Sequence, residues 1–232
     1  MIGIDYVGKN QSLLDFNFAM LYPYSARSKH AISNLDYAVI NRNFINNNYK
    51  VKKHVRSILV MQGGADTHCF IPKIIKSINH VNGNFDVTVI VGAAFRCWDK
   101  LKKAVNENKN TIQILKNVKK INSVMSNHDL AITAGGITLL ELACLGVPSI
   151  VICGEEFENE TASILQKNGF GINLGFGKNI NSCEITKNIE TLISNYTLRL
   201  KMNKIGKTIV DGQGSHRLAL FINEINNDKL TR

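Results

Sequence analysis

From about Arg56 onward, short apolar runs alternate with segments whose apolar residues recur every three or four positions. SILVMQG, FDVTVIVG, TIQIL, LAITAG, PSIVIC and GINLG read as buried strands. Between them, CFIPKIIKSINH, WDKLKKAVNEN, INSVMSNH, TLLELACLG and ENETASILQKNG read as amphipathic or buried helices. The tail segments CEITKNIETLISN, TLRLKMNKIGKTIV and SHRLALFINEI are helical in pattern. Short apolar strands alternating with helices predict an α/β fold, a Rossmann-like parallel sheet with helices on both faces. Ligands of such sheets bind at the carboxyl ends of the strands, near a switch in strand order. The loops that matter therefore follow Gln62, Val91, Leu115, Ala134 and Ile152.

The first fifty-odd residues break this rhythm. IGID reads as a strand, LLDFNFAMLYP and LDYAVINRNF as short apolar pieces, and NRNFINNNYKVKKH as a polar linker. The expected organisation is a remnant of a preceding domain plus linker over 1–52, and a Rossmann-like domain over 53–232. No solenoid-type repeat is present.

Composition changes this picture little. Of 232 residues, 44% are hydrophobic and 20% charged, the balance of a globular protein with a sizeable core. The formal net charge of +10 raises nucleic acid as a partner. Yet the lysines are scattered beside asparagines (NNNYKVKKH, ENKNTIQILKNVKK) and no helix carries a basic stripe with aromatics. A lysine- and asparagine-rich composition on solvated faces, with no nucleic-acid partner, is the expectation, and a basic surface that attracts anionic small molecules the alternative. No apolar run approaches the ~20 residues of a membrane span, and MIGIDYVGKN lacks the features of a signal peptide. Five cysteines are scattered without C-x-x-C, and the three inside apolar patterns are expected to be reduced, buried thiols. A cytoplasmic location is the expectation.

Two loops carry the chemistry. In AITAGGITLLE, Gly135 and Gly136 leave a strand and open a helix. Glycines there admit a close ligand, and the free amides of the helix start favour an anion. Thr138 and Glu141, three apart, share one helix face, where the glutamate can accept the two hydroxyl hydrogens of a ribose. Thr138-x-x-Glu141 is equally a capping box, each side chain satisfying the other's backbone amide. In MQGGADTHC, Gly63 and Gly64 repeat the strand, double glycine and helix start, with Asp66 and Thr67 as capping residues. Two such turns at one end of a sheet would cradle a diphosphate. Neither a P-loop lysine motif nor G-x-G-x-x-G occurs, which disfavours classical ATP and NAD sites.

His68 is a candidate acid or base without an evident partner. His30, His54, His80, His128 and His216 lack metal-site spacing. The acidic GEEFENE reads as a helix start complementing its dipole, with Asn159 able to bond a sugar or phosphate. DGQGSHR reads as a helix break and restart.

Together, ILVMQGGAD, VIVGAAF, LKNVKKI, DLAITAGGITLLELACLGVPSIVI, the asparagine of ENE and DGQGSHRL resemble the sugar-nucleotide hydrolase of pseudaminic acid biosynthesis and its spore-coat polysaccharide relatives. NLDYAVINRNF resembles that family's segment leading out of its N-terminal domain. The resemblance implies the C-terminal half of a GT-B fold, in which two Rossmann-like domains clamp a UDP-sugar. A further relative, the N-acetylglucosaminyltransferase of peptidoglycan synthesis, holds its nucleotide in the C-terminal domain. By that resemblance Glu141 binds the ribose of UDP, and Gly135, Gly136 and Thr138 the diphosphate. Gly63, Gly64 and Asp66 face the phosphates and sugar, the backbone near Val118 and Ile121 flanks the uracil, and Asn159 lies at the sugar or phosphate end.

The sequence departs from that family in places. It lacks the G-x-G-H segment that carries the catalytic histidine, and Ala65, Ile137 and Glu160 stand where serine, serine and glutamine are usual. The expected function is therefore the UDP-sugar-binding half of a hydrolase or glycosyltransferase of surface polysaccharide or nonulosonic acid biosynthesis. A partner chain supplying the remaining domain, or a homo-oligomer, would complete it; no cofactor or metal is called for. The alternatives are a non-catalytic nucleotide-sugar-binding or regulatory subunit, and a glycosyltransferase-like enzyme using another nucleotide.

Overall fold

In the computed structural model, which describes residues 1–21, 31–45 and 48–230, the apolar runs form two parallel sheets. Tyr22, Pro23, His30 and Asn46–Asn47, which belong to segments or residues considered above, lie outside the described residues. The first sheet is small: β1 (Ile2–Ile4), β2 (Phe16–Phe18) and β3 (Ala31–Ile32), in that order. The second holds β4 (Ser57–Met61), β5 (Asp86–Val91), β6 (Thr111–Lys116), β7 (Leu130–Thr133), β8 (Ser149–Cys153) and β9 (Ile172–Phe176). Its order is β6-β5-β4-β7-β8-β9, all parallel. Strand order therefore reverses between β4 and β7, and there the crossover helices change faces.

Helices cover both faces, as their one-sided apolar spacing requires. They are α1 (Phe70–Asn79), α2 (Trp98–Asn106), α3 (Ile121–Ser126), α4 (Ile137–Leu145), α5 (Glu158–Lys167), α6 (Ser182–Ser194), α7 (Tyr196–Ile209) and α8 (Gly214–Leu230). The exception in pattern is α4, apolar nearly all round. Leu139, Leu140, Leu142 and Leu145 are fully buried because α7 packs over the side that the sheet leaves free.

The last helix returns to the small sheet. Phe221 of α8 makes edge-on ring contacts with Phe16 and Phe18, with centroids 5.0 and 5.2 Å apart. Arg217 donates to the Asp36 carbonyl and pairs with Asp211, holding the turn that restarts the chain as α8.

The segment entering β4 is fixed at the opposite end of the large sheet from the glycine turns. Asp129 accepts from the amides of Arg56 (2.8 Å) and Ser57 (3.0 Å) and pairs with Lys52 (3.0 Å). Burial raises its carboxyl, but the amides of Arg56 and Ser57, together with Lys52, outweigh that and hold it below the usual range. Arg199 of α7 is fully buried and donates to the carbonyls of Leu192, Ile193 (2.8 Å), Lys52 (3.0 Å) and Lys53 (2.8 Å).

One expectation needs correction. Cys144 and Cys153 are free and buried, but Cys69 and Cys97 form a disulfide, with Cα atoms 5.7 Å apart. Cys69 precedes α1 and Cys97 precedes α2. These positions are far apart in sequence, and the parallel pairing of β4 with β5 brings the two exits side by side. Among the described residues no helix is long and apolar enough to cross a membrane.

Candidate functional site

Both double-glycine turns leave the sheet at its switch point. Val60 of β4 pairs with Ile132 of β7, so the chain reaches Gly63 and Gly135 at nearly the same height on adjacent strands. They line one cavity of about 300 Å³, with Ala134, Gly136, Ile137 and Thr138 on the β7 side. Phe157 and Glu158 close it from the start of α5, and Leu21 from the segment that follows β2. Leu21 is held at the rim by two contacts. Its carbonyl accepts from the Thr161 hydroxyl at 2.7 Å, and its amide donates to Asp5 at 2.8 Å.

The β4 turn is shaped by its neighbours. Gly63 adopts φ +61°, which only glycine takes without strain. Gly92, leaving β5, lies against the Gly64 backbone, and beyond it the Cys69–Cys97 bridge joins the same two loops. Asp66 is buried, and its two carboxylate oxygens accept from the amides of Phe70 (2.7 Å) and Ile71 (2.9 Å). The N-cap of α1 is Cys69 and not Asp66 or Thr67, yet Asp66 satisfies two first-turn amides from three residues further upstream. Burial pushes its carboxyl up in spite of those two amides.

On the β7 side the capping box is absent. The N-cap of α4 is Gly136, with no side-chain bond, so Thr138 and Glu141 stand two positions too far along to form one. Thr138 lines the cavity. Glu141, one turn further on, is half-buried and has no hydrogen-bond or ion-pair partner among the described residues. Burial alone raises its carboxyl to about 7.

The other sequence candidates lie elsewhere. Val118 and Ile121 follow the edge strand β6, two strands from β4, and are half-buried outside this cavity. Asn159 is exposed and accepts from Asn173 of β9 at 2.8 Å. His68 Nε2 lies 3.4 Å from Glu155 Oε1, and its ring packs against Phe70 and Phe176. It bridges the loops after β4 and β8 and does not line the cavity.

Two features went unread in the sequence. Glu158 Oε2 accepts from the amides of Gly154 (2.6 Å), Gly135 (3.3 Å) and Glu155 (3.4 Å), so the acidic cluster reaches across to the β7 turn. The other is a buried polar floor. Gln62, 4% exposed, has no partner for either amide atom among the described residues, and neither has the Thr133 hydroxyl. Both sit at the ends of the two strands that meet at the switch. A polar residue closing an otherwise apolar strand was the available signal for each.

Comparison with known proteins places this geometry. Residues 57–208 match the family described as the glycosyltransferase family 28 C-terminal domain. The chain is 28% identical over 194 residues to the spore coat polysaccharide biosynthesis protein SpsG of Bacillus subtilis (strain 168). That alignment covers 82% of this chain and 57% of SpsG, so the chain spans little more than half of that relative's length. In structure it is similar to MurG of Acinetobacter baumannii, with a TM-score of 0.66 at 14% identity over 90% of this chain and 59% of that one. It is also similar to S. aureus MnaA, solved with UDP, with a TM-score of 0.64 at 14% identity over 94% and 62%. At such identities these two likenesses establish the fold, the parallel Rossmann-like sheet of GT-B proteins.

Proposed function

We infer that this chain, which belongs to the glycosyltransferase family 28 C-terminal domain family, is the UDP-sugar-binding half of a GT-B-type enzyme of surface polysaccharide biosynthesis. The observation that carries the reading is the convergence of Gly63 and of Gly135–Gly136 on one cavity at the switch point. The open start of α4 offers backbone amides to a diphosphate there. Glu141, free of any capping bond, is the acceptor for the ribose hydroxyls, and Thr138 and Gly64 lie toward the phosphates. Val118 and Ile121 flank the base, further along the same edge of the sheet, and Asn159 lies at the sugar end. The GT-B fold of MurG and the UDP bound to MnaA support the ligand class, and SpsG supports the polysaccharide setting.

The reaction follows from which bond the site can weaken. Cleavage between the sugar and the diphosphate leaves charge on the phosphate, which helix-start amides stabilise as it develops. A base must also activate water or an acceptor hydroxyl. Asp66 is engaged by two first-turn amides and His68 is held outside the cavity, so that base comes from a second domain or a partner chain. Water as acceptor makes a sugar-nucleotide hydrolase, of the kind found in pseudaminic acid biosynthesis; a sugar hydroxyl makes a glycosyltransferase. Residues 1–52 are read as the end of a first GT-B domain and its linker, and 53–232 as the nucleotide domain.

One observation favours a second reading, a nucleotide-sugar-binding subunit without chemistry of its own. Ala65 and Ile137 bring no hydroxyl to the turns, and Glu158 already holds the Gly135 amide.

Calorimetric titration with UDP, with ADP and CMP as controls, tests the reading. UDP is expected to bind selectively, and Glu141→Ala to abolish the binding. A folded protein that takes none of the three would refute it.

A further inference from the structure

The cavity between the two turns contains a negative charge of the chain's own. Glu158 opens α5, and three amides converge on its Oε2: Gly154, Gly135 and Glu155. That is how backbone holds a small anion, but here the anion is a side chain. Bonds to Gly154 and Glu155 alone would serve the start of α5. The bond to Gly135 goes further, because that amide belongs to the turn that opens α4. The carboxylate covers the second glycine as well. A Cβ on Gly136 would stand 3.5 Å from Glu158 Oε1. A Cβ on Gly135 would meet the backbone oxygen and the Cβ of Glu158 at 2.6 and 2.9 Å. The packing of α5 against the turn therefore already requires glycine at 135, whether or not a ligand comes near.

We propose that Glu158 is the specificity-determining residue of this turn: it competes with a ligand's phosphate for the Gly135 amide. A phosphate can sit on the turn only after the carboxylate has left it, while uncharged parts of a ligand meet no such competitor. Bound charge and resident charge would otherwise repel each other a few ångströms apart on the same turn, beside the side chains of Leu21, Ile137 and Phe157. The inference rests on the nucleotide-diphosphate reading above, and it makes the turn discriminate by charge.

The test compares UDP with uridine, which shares the base and ribose but has no phosphate, on the wild type, Glu158→Gln and Glu158→Ala. Calorimetry gives the affinities and thermal melts confirm folding; Glu158→Gln keeps the side chain's shape should Glu158→Ala lose the first turn of α5. Both variants are expected to bind UDP about tenfold more tightly or better, with uridine unchanged. UDP affinity that is unchanged or weaker overturns the proposal, and so does an equal gain for UDP and uridine, the mark of a loosened cavity. If the wild type binds UDP through Glu141 but the Glu158 variants gain nothing, only this inference fails. If no folded variant binds UDP at all, the nucleotide reading falls with it.

Discussion

A Cβ on Gly92 would stand 2.2 Å from the Gly64 carbonyl oxygen and 2.7 Å from its Cα. The turn after β5 thus sets the height of the turn after β4. Backbone, not a flexible side chain, is what the methyl would strike. Gly92→Ala is therefore expected to cost about 1–3 kcal/mol in urea denaturation, as overpacking does. It should also weaken UDP binding by moving Gly63 and Gly64. Wild-type stability and affinity in Gly92→Ala would mean that the two turns are not coupled.

Glu141 makes the protein less stable as pH rises. The folded state keeps the proton to about pH 7, while the unfolded chain gives it up near 4.5. Between those values the folded state binds more protons, so stability falls with rising pH across that window and levels off above it. The fall attributable to this group is about 2 kcal/mol, allowing for its exposed part. Glu141→Gln should remove it in denaturation curves taken from pH 4.5 to 8. A ribose bound to the carboxylate favours the ionised form, so uridine should bind more weakly at pH 6 than at pH 8. The opposite order would remove Glu141 from the site.

The Cys69–Cys97 bridge spans 28 residues of sequence. By loop-closure entropy it contributes about 3–4 kcal/mol. Under oxidising conditions Cys97→Ala should lower the denaturation free energy by roughly that amount, and a reducing agent should bring the wild type down to the variant. Equal stability with and without reductant would show that the bridge does not form in solution.

Arg199 donates to four backbone carbonyls without meeting a carboxylate. Arg199→Met leaves the carbonyls of Leu192, Ile193, Lys52 and Lys53 unsatisfied, and should cost about 3 kcal/mol or more. Arg199→Lys should recover little of this, since an ammonium cannot span the end of α6 and the incoming linker with one planar group. Full rescue by lysine would contradict the clasp.

Periodicity carried the architecture because strand and helix each leave a local signature. Every strand of the large sheet and all eight helices fall where apolar spacing puts them, and the two Gly-Gly turns meet at the switch as strand order requires. What escaped was pairwise and non-local. Nothing near Cys69 announces Cys97, since their meeting depends on two strand exits lying side by side. Thr138 and Glu141 have capping spacing, yet the helix begins at a different residue, a matter of one or two positions that spacing does not resolve. Glu158 read as a dipole partner of its own helix, and only the approach of α5 to the β7 turn reveals its second amide. Arg199 carried no sequence signal, because two of its four acceptors, the carbonyls of Lys52 and Lys53, belong to a distant segment.

The contact of Phe221 with Phe16 and Phe18 has a consequence for synthesis. A ribosome releases the small sheet's strands before α8, with the whole six-stranded sheet between them. Until α8 emerges, the rings of Phe16 and Phe18 lack the edge-on cover of Phe221. The six-stranded sheet can pair meanwhile, since all of its strands precede α8. The cover of the small sheet is therefore finished only after the large sheet has been made.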